Sequence, residues 1–152
     1  MSEDNTSAPV ELLTFTLGDQ EYALDIMCVR EIRGWTKATP LPHAPSYMRG
    51  VINLRGTVLP VLDLAERLGL PAGSHSDRNV IIVVNQGSSV AGLLVNAVSD
   101  IIALDSQDLQ PPPDLSSHVS AAVIKSLTLI DDRMIRVLDL ASVVTPAQSD
   151  AA

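Results

Sequence analysis

The chain contains its own pattern twice, and this repeat restricts what it can fold into more than any other feature. Gly18 to Ile32 (GDQEYALDIMCVREI) aligns without a gap on Gly87 to Ile101 (GSSVAGLLVNAVSDI). Both segments end in Val-x-acid-Ile, as Val29-Arg30-Glu31-Ile32 and as Val98-Ser99-Asp100-Ile101. Later in each half, Val61-Leu62-Asp63-Leu64-Ala65 returns letter for letter as Val137-Leu138-Asp139-Leu140-Ala141. The same parts in the same order report a repeated structural unit, and two copies are too few for a solenoid. With 152 residues in all, each copy is a subdomain of one domain-sized chain. The halves run about 11–70 and 79–144, divided at PAGSHSDR (71–78), which has turn formers and no apolar periodicity.

The type of unit follows from the spacing of apolar residues. Runs of about five to eight are cut by Gly, Asn, Asp and Pro, which favours strands joined by short turns over long helices. Glu11 to Leu17 and Tyr22 to Asp25 form a first hairpin around Gly18-Asp19. The prolines from Pro40 to Pro45 exclude a central strand there, and Ser46 to Arg49 are expected to make one helical turn. Gly50 to Asn53 returns through Leu54-Arg55-Gly56 into Thr57 to Leu62, with Gly56 supplying the positive φ of a tight reversal. Asp63 caps a short helix, Leu64 to Leu68, with Glu66 as its capping-box partner and Gly69 as its end. The fold class is mainly β with short helices. Residues 1–10 and 145–152 are small and polar and read as disordered tails.

Composition excludes several functions. A net charge of -8, with ten basic residues scattered without a run, disfavours nucleic-acid binding. The absence of an apolar run near the ~18 residues that span a bilayer, and of a leader-like N-terminus, points to a cytoplasmic protein with no direct membrane insertion. The single cysteine, Cys28, lies in the apolar stretch IMCV and reads as a buried structural thiol. His43, His75 and His118 have no metal-ligand spacing, so neither a metal nor another cofactor is expected. Asp63 and Asp139 occupy equivalent positions, as paired catalytic carboxylates sometimes do, but each stands where a helix N-cap belongs. No nucleophile setting or phosphate loop is present, and no catalytic residue is assigned.

Surplus apolar side chains remain. Ile26 to Val29 are all apolar, with Ile32 and Trp35 following, more than a strand with one solvated face needs. Either one face meets a partner or both are buried between the subdomains. Arg55, at a turn beside this material, is either solvated or an anchor for a partner. On these grounds the chain is a β-rich interaction module, the competing class being a small β-barrel enzyme or ligand carrier with a concave polar site.

These residues also carry a family resemblance. Leu17-Gly18-Asp19, Tyr22-Ala23, Val29 through Gly34, Pro45 with Gly50 through Gly56, and Pro60 through Leu64 closely resemble the bacterial chemotaxis coupling proteins of the CheW family. The likeness continues through Gly92 to Val95, Val98 to Ile101 and Asp132-Arg133, over roughly residues 11–144. The resemblance implies two intertwined five-stranded barrels of SH3-like form and a non-enzymatic adaptor. It further implies partners: the regulatory domain of the histidine kinase CheA, and the cytoplasmic hairpin tips of methyl-accepting chemoreceptors, to whose membrane-associated arrays the protein is recruited. By similarity the receptor-binding positions are Val29, Glu31, Ile32, Gly50, Arg55, Val95 and Val98, and the kinase-binding positions Asn53, Leu54 and Gly56. A detached CheA domain, a receiver-fused adaptor, or a related module serving another kinase pathway are the alternatives within the resemblance; no kinase motif is present and the length leaves no room for a receiver. Two departures stand out: Asn96 where the family often has Asp, and Ser126 where Gly is expected in the last hairpin.

Overall fold

The computed structural model describes residues 9–70, 79–111 and 123–144. The divider 71–78, His75, His118 and most of both tails lie outside these residues. β1 (Pro9–Leu17) and β2 (Gln20–Asp25) form the expected hairpin, with Gly18 at φ 63. β1 begins inside the segment that composition assigned to the N-terminal tail, because Pro9 and Val10 pair with Asp105 and Leu104. After a 3₁₀ turn, Ile26–Cys28, come β3 (Val29–Gly34), β4 (Met48–Leu54), β5 (Thr57–Asp63) and α1 (Leu64–Arg67). The expected helical turn at 46–49 is a correction. The Met48 N–H closes one turn onto the Pro45 carbonyl at 2.9 Å, and Met48 then already pairs with Leu62 as the start of β4. The second half repeats the series as β6 (Val80–Gln86), β7 (Ser89–Val95), β8 (Ala97–Asp105), β9 (Ile124–Ile130), β10 (Arg133–Leu138) and α2 (Leu140–Val144).

The two halves do not make one sheet each. One sheet has the order β8-β1-β2-β10-β9 and the other β3-β6-β7-β5-β4. Each therefore joins the first two strands of one half to the last three of the other. The halves meet at four pairings: β1 with β8 and β3 with β6, both antiparallel, and β2 with β10 and β5 with β7, both parallel. The intertwining implied by the resemblance is this exchange. Neither sheet closes into a full barrel, however: across each seam the described residues show a single bridge, Thr39 to Val51 in one and Gln110 to Leu127 in the other.

Core packing explains why several strands read as unbroken apolar runs. In β6, Ile82 and Val84 face the main cluster between the sheets, while Ile81 and Val83 face a second cluster with Ile52, Leu59 and Leu94 inside one sheet's curve. In β1, Leu13 and Phe15 join the main cluster, and Leu12 joins Ala23, Ile135 and Val137 inside the other. A strand with core on both faces loses its polar alternation. Each such Leu, Ile or Val removed from water contributes about 1.5–3 kcal/mol.

Because each sheet needs strands from both halves, residues 1–74 and 75–152 expressed separately should each give the circular dichroism and narrow amide dispersion of an unfolded chain. Mixing them should restore native dispersion. A half that folds alone would contradict the exchange.

Candidate functional site

The Val-x-acid-Ile signature is a β-bulge. In β3, Val29 pairs with Val84 and Glu31 with Val83, so Arg30 is an extra residue with no partner of its own. Residues opposite each other share a face, and a bulge re-aims the side chains beyond it. Val29 and Ile32 consequently stand with Val84 and Ile82 on the inter-sheet side, while Glu31 and Arg33 stand with Val83 and Ile81 on the inner side of the curved sheet. β8 does the same: Ser99 is the extra residue, Val98 faces Phe15, and Ile101 faces Leu13. Val29 and Val98 both pack half-buried against the main cluster, from opposite sheets. Ile32 and Ile101 project past its rim, 46% and 53% exposed. The apolar surplus is thus divided: Ile26, Cys28 and Val29 pack on the shared core, whereas Met27, Ile32 and Trp35 remain exposed.

The polar half of the site lies across the seam between β3 and β4, the two edges of one sheet. The Arg55 Nη2 donates to Glu31 Oε1 at 2.6 Å and Arg33 Nη1 donates to Glu31 Oε2 at 3.2 Å. These two guanidiniums hold the Glu31 carboxyl below its ordinary range, Arg55 contributing most. Arg55 remains 69% exposed, and Arg30 and Thr57 line the same concavity. Its backbone is unusual as well. Arg55 sits at φ 51 and Gly56 at φ 87, a reversal whose first residue is more often Asn, Asp or Gly. The corresponding residue of the other half, Asp131, takes the same conformation at φ 53. The sequence located the positive φ at Gly56 and missed it at Arg55.

Four assigned positions are placed as supports. Gly50 is buried at φ 139, and a Cβ there would collide with the Thr39 carbonyl, so the residue permits the seam bridge. Val95 is 2% exposed in the main cluster and Leu54 is buried in the second. Neither side chain is free to touch a partner in this conformation, which corrects their assignment as contacts. The Asn53 Oδ1 accepts the Gly56 N–H at 2.9 Å and so shapes the turn, although Asn53 and Gly56 are both exposed at the hairpin tip.

Other candidates resolve locally. The Asp63 Oδ1 accepts the Glu66 N–H at 3.3 Å as a helix cap, and Asp139 Oδ2 accepts the Ser142 hydroxyl at 3.0 Å. The Cys28 thiol is half-buried and its pKa is raised, by burial first and by Asp25 second. Asn96 accepts the Gly18 N–H at 2.7 Å. Ser126 lies within β9 opposite Val137, while the turn of that hairpin is made by Asp131 and Asp132, both at positive φ. Its substitution for Gly therefore leaves the turn untouched. Sequence reasoning missed Arg33, which shares the Glu31 carboxylate, and Ile101, which the repeat alignment places opposite Ile32.

The chain matches the family described as CheW-like domain over residues 11–148. It is 49% identical over 147 residues to a chemotaxis protein CheW of Rhizobium meliloti, covering 97% of this chain and 95% of that protein. To the chemotaxis protein CheW of Klebsiella aerogenes it is 35% identical over 130 residues, covering 86% and 78%. The crystal structure of the scaffolding protein TtCheW from Thermoanaerobacter tengcongensis superposes with a TM-score of 0.81 at 33% identity, covering 87% of this chain and 90% of that one.

Gly50→Ala should lower stability in denaturant melts by about 1–3 kcal/mol, the range for a forced backbone conformation; an unchanged midpoint would return Gly50 to a contact role. A carboxylate with a depressed pKa contributes stability that is present above its unfolded value and lost as pH falls through its folded one. At low salt, the stability gap between parent and Glu31→Gln should therefore be constant above about pH 5 and shrink below about pH 4. Parallel curves throughout would mean that the ion pair does not hold in solution.

Proposed function

The chain belongs to the CheW-like family, and on that footing we propose that it is a chemotaxis scaffold that joins chemoreceptor tips to the regulatory domain of the kinase CheA in the cytoplasm, without catalysing a reaction. The observation that carries the receptor half of this reading is the apolar rim, where Val29 and Ile32 from one sheet and Val98 and Ile101 from the other flank one core. An apolar strip bordered by fixed charges suits a helix laid in a groove, with anchors at helical spacing and polar contacts setting direction. The Arg33-Glu31-Arg55 cluster supplies those charges. Its exposed guanidinium, held in a conformation arginine seldom takes, is the kind of strain that gathers at functional positions.

The kinase contact is assigned to the β4–β5 hairpin tip, at Asn53, Gly56 and the exposed Val58 beside them, with Leu54 beneath as support. The two contacts then adjoin, since Arg55 of the receptor site lies in the same turn as Asn53 and Gly56. Modest individual contacts suffice there, because linked sites raise effective concentration by about 10²-fold or more.

Ile32→Lys and Arg55→His should each reduce capture of a receptor hairpin by about tenfold, a hot-spot loss of roughly 1.4 kcal/mol, while the thermal melt stays close to that of the parent. Unchanged capture by both variants would remove the rim from the receptor site. A melt that collapses would make the residue a structural one.

A further inference from the structure

We propose that Arg67 is a positioning residue: it staples the two exchanged sheets together through their short helices, and so fixes the spacing between the two sides of the apolar rim. The inference rests on the receptor-docking reading above, but its central observation is independent of it.

The two helices are related by the repeat, and a side chain of the first reaches the last carbonyls of the second. Terminal carbonyls of a helix have no intrahelical donor and must be met by something else. In α1 the chain meets its own: Gly69, at φ 79, donates to the Glu66 carbonyl at 3.0 Å and Leu70 donates to the Ala65 carbonyl at 2.9 Å. In α2 the repeat has Thr145 where α1 has Gly69. There the Arg67 side chain arrives from α1, its Nη2 donating to the Ser142 carbonyl at 2.8 Å and its Nε to the Val143 carbonyl at 3.0 Å. The same guanidinium lies 5.3 Å from the centre of the Tyr47 ring. A planar fork that meets two successive carbonyls fixes direction as well as distance, which an ammonium does not.

The position of these helices makes the bond consequential. α1 continues β5 of one sheet and α2 follows β10 of the other, so Arg67 crosses between them. Leu64 and Leu68 from the first and Leu140 and Val143 from the second lie in the main cluster, on which Val29 and Val98 pack. The residue of α2 equivalent to Arg67 is Val143, so the crossing has no symmetrical copy. A groove built from two sheets keeps its width only if the sheets keep their mutual angle. Arg67 adds a directional bond to the apolar packing of the main cluster between the sheets.

The test uses the full chain with Cys28→Ser and spin labels at Ser88 and Asp132, which are exposed in hairpin turns of different sheets. Pulsed dipolar distances are read alongside affinities for a receptor hairpin and for the kinase regulatory domain. Arg67→Met should broaden the inter-label distance and weaken hairpin binding about tenfold, with kinase-domain binding changed less than about twofold because that contact lies on one sheet. Arg67→Lys, which cannot reproduce the fork, should fall between parent and Met, and it serves alone if the Met variant does not fold. An unchanged distance distribution, or equal losses for both partners, would overturn the positioning role. A parent that fails to bind the hairpin would overturn the docking reading instead, and the distance comparison would then decide the staple by itself.

Discussion

Everything in this molecule depends on the apolar cluster that the two exchanged sheets share. Phe15, Leu13 and Leu24 from one sheet interleave there with Ile82, Val84 and Leu93 from the other, and both short helices close over it. Two subdomains joined by a flexible link would be free to move apart. Here each sheet contains strands of both halves, so parting the halves would require breaking the ladders of β1 with β8, β2 with β10, β3 with β6 and β5 with β7, and the chain crosses from sheet to sheet between β2 and β3 and between β7 and β8. The rim of the cluster is therefore made of both halves at once, and a groove can be built on it.

The bulges at Arg30 and Ser99 turn this frame into a site. Without the extra residue, Val29 and Glu31 would lie on one face of a regular strand. With it, the apolar residues line the shared core and the acid is sent to the other side. The two halves use the acid differently. Glu31 crosses a seam to Arg55, while the backbone of Asp100 exchanges hydrogen bonds with the Thr14 hydroxyl and its carboxylate accepts the Ile101 N–H. One inherited backbone irregularity thus serves an ion pair in one sheet and local ladder support in the other.

Much of this was legible in the residues. The repeat identified equivalent strands, and the Asp63-Leu64-Ala65 signature identified the cap of α1, because both depend on local spacing. The exchange of strands was not legible from the repeat, since two copies side by side and two copies interleaved have the same sequence pattern; only the family resemblance implied it. The pairing of Glu31 with Arg55 was likewise hidden, because 24 positions separate them and the contact exists only where the edges of a curved sheet approach. Val95 and Leu54 were misassigned as contacts for a related reason: burial on the second face of a strand depends on what the other half brings there.

Titrating the isotope-labelled protein with a receptor hairpin tests the central claim most directly. The account predicts that the largest amide and methyl shift changes fall together on Val29, Ile32, Val98 and Ile101, from both sheets, with Arg55 among them. Changes confined to one sheet, or to the β9–β10 hairpin, would contradict it.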